Sequence, residues 1–108
     1  LEVGTEVLGN LSVTSETLGS GEPVEAWTVP VNAGDELVFE LLSEDFDALL
    51  YLDGPGLTEP LMDDDGAGSL DSRIVFLATE SGTMRLVASA LTANAAGEYR
   101  LRAIRRAR

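Results

Sequence analysis

Gly97-Glu98-Tyr99-Arg100-Leu101-Arg102 carries its charges on one parity and its bulky apolar groups on the other. Successive side chains of a strand point to opposite faces, so this pattern sends Tyr99 and Leu101 inward and Glu98, Arg100 and Arg102 outward. Glu36-Leu37-Val38-Phe39-Glu40-Leu41 has the same period, with Leu37, Phe39 and Leu41 on one face. Arg73-Ile74-Val75-Phe76-Leu77 and Thr83-Met84-Arg85-Leu86-Val87-Ala88 behave alike. Ala48-Leu49-Leu50-Tyr51-Leu52 is apolar on both parities, which predicts a central strand covered on each side.

Turn signals separate these runs every ~8–12 residues, the spacing of a sandwich or barrel of short strands. They are Gly9-Asn10, Gly19-Ser20-Gly21-Glu22-Pro23, Ala33-Gly34-Asp35, Asp53-Gly54-Pro55-Gly56, Asp65-Gly66-Ala67-Gly68, Ser81-Gly82 and Ala96-Gly97. The best helical window, Leu91 to Ala96, is short and ends at a glycine, so it reads as a loop or a single turn. The expected architecture is all-β: an antiparallel, jelly-roll-like β-sandwich of seven to nine short strands. One domain fills the 108 residues, with its core over about 5–104 and a basic tail at 105–108.

Composition narrows the chemistry. The chain has no histidine, cysteine or lysine, so its serines have no base for a triad or dyad. Disulfides and zinc sites built on nitrogen or sulfur ligands are excluded as well. A carboxylate pair for glycoside hydrolysis needs a deep cleft, for which a small sandwich has little room. The expectation is a domain with no catalytic activity of its own. Net charge is -12, and every acid except Glu80 and Glu98 precedes Ser72, whereas the first base is Arg73. An acidic body of this kind repels nucleic acid, and no apolar run reaches the ~18 residues of a membrane span. The chain opens on Leu1 rather than methionine, so it is expected to be a piece of a larger polypeptide.

The densest acidic stretch is Leu61-Met62-Asp63-Asp64-Asp65-Gly66-Ala67-Gly68-Ser69-Leu70-Asp71-Ser72-Arg73. Carboxylates so close repel one another unless a hard cation, turn backbone or solvent compensates them. Asp63, Asp65 and Asp71, with Asp64 as an alternative, are candidate calcium ligands; Asp45, Asp47 and Asp53 belong to neighbouring loops. An EF-hand is excluded, because Leu61 and Ser72 fall at its first and last ligand positions. The competing reading has these aspartates cap turns by accepting backbone hydrogen bonds, and for Asp47 that reading is preferred. Among the six aromatics, Phe39, Phe76 and Tyr99 fall on inward parities, Trp27 reads as a core anchor, and Tyr51 as an outer-face residue. Tyr51, and Trp27 as a stacking platform in the alternative to its core reading, are the candidates for a polymer-binding face.

Taken in order, several blocks resemble the bacterial pre-peptidase C-terminal domain, the family that includes collagen-binding domains of secreted collagenases. They are Gly9-Asn10-Leu11, Ala26 through Asp35, Asp45-Phe46-Asp47-Ala48-Leu49-Leu50-Tyr51-Leu52, the Asp64-Asp65 turn, Ser81-Gly82-Thr83 and Gly97-Glu98-Tyr99-Arg100-Leu101. The resemblance runs from about Gly9 to Ala103. Met84 stands where the family commonly has tyrosine, Leu49 where an aromatic is common, and Ser15-Glu16 in the region of a frequent aspartate. The resemblance implies a secreted or extracellular setting, with periplasm and cell surface as variants, and a covalently attached catalytic domain, most often a peptidase. It also implies two ways of acting. One is aid to export, stability or targeting; the other is calcium-dependent binding of collagen or another extracellular polymer. In the collagen-binding relatives calcium is held largely by carboxylates of an N-terminal linker, for which Glu2 and Glu6 are the only counterparts here and do not reproduce the motif. A monomer is expected.

Overall fold

In the computed structural model, residues 3–11, 16–17, 23–64, 71–90 and 96–105 are described. They form nine strands and no helix: β1 (Thr5–Leu11), β2 (Glu16–Thr17), β3 (Pro23–Val31), β4 (Glu36–Leu42), β5 (Ala48–Asp53), β6 (Leu61–Asp63), β7 (Ser72–Leu77), β8 (Gly82–Ala90) and β9 (Gly97–Arg105). No helix is long and apolar enough to cross a membrane among the described residues. The strands make two antiparallel sheets, ordered β1-β9-β4-β7 and β2-β3-β8-β5-β6. The architecture is the expected β-sandwich.

Period-two hydrophobicity builds the space between the sheets. From the four-stranded sheet come Leu37, Phe39, Leu41, Ile74, Phe76, Tyr99, Leu101 and Ala103; from the other come Val29, Leu50, Leu52, Met84, Leu86 and Ala88. Burying each large aliphatic or aromatic group contributes about 1.5–3 kcal/mol, so this shared layer dominates stability. β5 is an interior strand between β8 and β6, and Leu49, on its outer parity, is buried like its inner neighbours.

Three expectations change. Gly9-Asn10 is not a break but lies inside β1, with Gly9 opposite Tyr99 of β9. The Tyr99 ring occupies the space that a Cβ at Gly9 would need, so glycine is there for a close approach and not for a turn. Alternation in β8 stops at Val87, and the strand stays buried on both parities through Ala90; within that run the Ser89 hydroxyl donates to the Pro23 carbonyl at 2.9 Å. Arg105, assigned above to the basic tail, is the last residue of β9. It opposes Leu37 and reaches Asp35 Oδ2 at 3.4 Å. The Leu91–Ala95 loop, the Gly19–Glu22 signal and the Asp65–Leu70 turn lie outside the described residues.

Candidate functional site

The loops that carry acids are stitched by those acids. Asp71 Oδ1 accepts the backbone N–H of Ser43 at 2.9 Å, and Asp45 Oδ2 accepts that of Glu98 at 2.9 Å. Asp63 Oδ2 accepts from Arg73 N at 2.8 Å, joining the two ends of the acidic stretch. Asp53 Oδ1 accepts from Gly54 N, and Asp35 Oδ2 from Asn32 N. These are the side-chain to backbone bonds that the capping reading anticipates.

Asp45 and Asp71 share a cleft of about 480 Å³, lined also by Leu8, Leu42, Ser43, Glu44, Glu98, Tyr99 and Arg100. Asp63 and the exposed Asp64, at the end of β6, are not part of its lining. Asp65 lies outside the described residues. Asp47 departs from its preferred reading: its Oδ1 is buried and finds no hydrogen-bond partner among the described residues. Calcium wants six or more oxygens around one point. Among the described residues no three acidic side chains converge in that way, and Asp65, at the centre of the acidic stretch, lies outside them.

A polar cluster that sequence reasoning did not single out lies where the two sheets meet. Trp27 is on the inner face of β3 and packs against the core. Its Nε1–H donates to the Tyr99 hydroxyl at 3.0 Å, and that hydroxyl donates to Glu25 Oε1 at 2.5 Å. Tyr99 also meets Phe46 edge to face, with ring centroids 6.4 Å apart. Burial pushes the Tyr99 phenol well above its ordinary range; the Glu25 carboxylate adds to the rise and the Trp27 N–H opposes it. The available signal was parity, since Glu25 and Trp27 are two residues apart on one strand. Trp27 is thus partly buried, with its ring against the core and its N–H held by Tyr99. Tyr51 faces the other way, half-buried on the outer face of the five-stranded sheet between Met62 and Val87.

A second arrangement runs across the outer face of the four-stranded sheet. Register places Glu6 (β1), Arg102 (β9), Glu40 (β4) and Arg73 (β7) in one row. Arg102 Nε lies 3.1 Å from Glu6 and its Nη1 3.7 Å from Glu40, while Arg73 Nη2 lies 2.9 Å from Glu40. The row is an ionic ladder of alternating sign.

The sandwich superposes on a known domain over nearly its whole length. It matches the pre-peptidase C-terminal domain of a collagenase from Bacillus anthracis with a TM-score of 0.69, covering 95% of this chain and 90% of that one at 18% identity. The chain has the fold of a pre-peptidase C-terminal domain. The same fold matches PliG of Salmonella Typhimurium, a periplasmic inhibitor of g-type lysozyme, with a TM-score of 0.63 at 18% identity, covering 98% and 96% of the two chains. No family profile and no curated protein sequence matches the chain. A pre-peptidase C-terminal fold is compatible with more than one role, so function has to be argued from this chain's own surfaces.

Proposed function

We propose that this sandwich is a non-catalytic accessory domain of an exported bacterial protein, attached to a catalytic domain, most naturally a peptidase. It aids that domain's export, stability or targeting. The observation that carries this reading is the match, over 95% of this chain and 90% of the other, to the pre-peptidase C-terminal domain of a collagenase. The chemistry agrees. With no histidine, cysteine or lysine, the chain lacks the thiol nucleophile and the nitrogen bases that most often activate a serine. The carboxylates best placed to act, Asp45 and Asp71, already accept backbone N–H groups. A collagenase domain and a periplasmic inhibitor as fold neighbours both suit a compartment outside the cytoplasm.

The test is to express the polypeptide that carries this domain with and without it. Deletion should lower the yield of exported, folded enzyme while the surviving enzyme keeps its turnover of a small soluble peptide. Unchanged yield together with lost co-sedimentation on insoluble collagen would instead favour the polymer-binding reading, with outward Tyr51 as the residue to substitute.

A further inference from the structure

The outer face of the four-stranded sheet differs from the rest of the molecule. Among the described residues, four of the five exposed large apolar side chains lie on it: Leu8, Val75, Leu77 and Ile104. Its outward charges are Glu6, Glu36, Glu40 and Glu98 against Arg73, Arg100 and Arg102, so it is nearly neutral in a chain whose net charge is -12. Neutral, partly apolar faces on a strongly charged body are where association is least opposed.

The ladder specifies what can sit there. Its order across the strands is Glu6, Arg102, Glu40, Arg73. A two-fold axis lying in the interface and parallel to the strands carries β1 over β7 and β9 over β4 of a second copy. Each glutamate then meets an arginine: Glu6 faces Arg73 of the other copy, and Arg102 faces Glu40. The alternative in-plane axis, across the strands, stacks every charge on its own kind. On the favourable axis Ile104 also falls over Val38 of the other copy, beside the ladder. From this self-complementarity we propose that the outer face of the β1-β9-β4-β7 sheet pairs with a second copy of this chain, as an isologous dimer with aligned strands.

The dimer is weak. Four strands at about 4.8 Å spacing and about seven residues at ~3.4 Å give roughly 450 Å² per copy, below the standard interface. Charge reversal tests it by sedimentation equilibrium at protein concentrations up to about 1 mM. Glu6→Arg alone sets arginine against Arg73 at both ends, and Arg73→Glu alone sets glutamate against Glu6. Each should weaken self-association about tenfold or more. Mixing the two variants restores opposite charges at every rung, so the mixture should associate about as well as the natural chain. Glu59→Arg, an exposed loop change, controls for net charge and should leave the dimer intact. A cooperative thermal transition in each variant, even at a lowered midpoint, shows that it still folds. A natural chain that stays monomeric throughout overturns the proposal, as does a dimer indifferent to both reversals or a mixture that fails to recover.

Discussion

The ring of Tyr99 lies directly over the backbone of Gly9, its cross-strand partner, so that a Cβ at position 9 would overlap ring atoms. The contact fixes where the edge strand β1 rests on β9. It also seats the Tyr99 hydroxyl between Glu25 and Trp27 of the opposite sheet. One glycine thus sets both a strand pairing and a link between sheets.

Gly9→Ala should therefore destabilise the fold by about 1–3 kcal/mol, the usual cost of overpacking, in denaturant melts. If the ring is the cause, the penalty should shrink when Gly9→Ala is combined with Tyr99→Leu, giving a double-mutant coupling of about 1 kcal/mol or more.

Tyr99→Phe keeps the ring and removes the hydroxyl that serves two partners. The expected loss is about 1–2 kcal/mol at neutral pH. Its pH dependence has a defined sign. The folded state holds the Tyr99 proton more tightly than the unfolded chain, so this contribution is complete below the unfolded phenol's pKa of about 10 and declines as pH rises above it. The natural chain should lose stability above about pH 10 more steeply than Tyr99→Phe does. In Tyr51→Phe, which leaves Tyr99 as the only tyrosine, ultraviolet titration should show no phenolate at pH 10–11 while the protein stays folded.

Glu40 stands between two guanidiniums and is itself nearly buried, with 11% of its side chain exposed, whereas Arg73 and Arg102 remain 45% and 35% exposed. Because the arginines stay hydrated, Glu40→Gln should cost only about 1 kcal/mol in thermal melts. The deficit should narrow as sodium chloride is raised, since salt screens the lost attraction.

Asp71→Ala and Asp63→Ala remove acceptors for Ser43 N and Arg73 N, and each should cost about 1 kcal/mol. The cost should be the same in calcium and in chelator. Calcium should shift the melting temperature of the natural chain no more than magnesium at matched ionic strength, where both merely screen the acidic surface. A calcium-specific rise that vanishes with these substitutions would instead establish the metal-site reading.

The parts of this structure legible in the sequence are those governed by local rules. Alternation in Glu36–Leu41 and Gly97–Arg102 announced which side chains face the core, and the six ordered motif blocks announced the sandwich. For Asp45, Asp63 and Asp71 the backbone-acceptor role was legible as one of two readings, beside calcium ligation, because a short carboxylate beside a turn suits either. What stayed hidden depends on register between distant segments. Trp27, Glu25 and Tyr99 meet across 72 to 74 residues, and the Glu6–Arg102 rung spans 96. Gly9 reads as a turn until the ring above it is seen. In β8, tertiary cover over Val87–Ala90 overrides the alternation that its first half displays. Asp47 resembled its neighbours in sequence, yet its buried oxygen is left unpartnered among the described residues.

The central functional claim is that this sandwich has no chemistry of its own. The most direct measurement is turnover by the isolated 108-residue chain of protein, collagen and glycan substrates, run beside the same chain carrying Asp45→Asn and Asp71→Asn. The account predicts no hydrolysis above buffer for either protein. Turnover by the natural chain that the two substitutions abolish would contradict it.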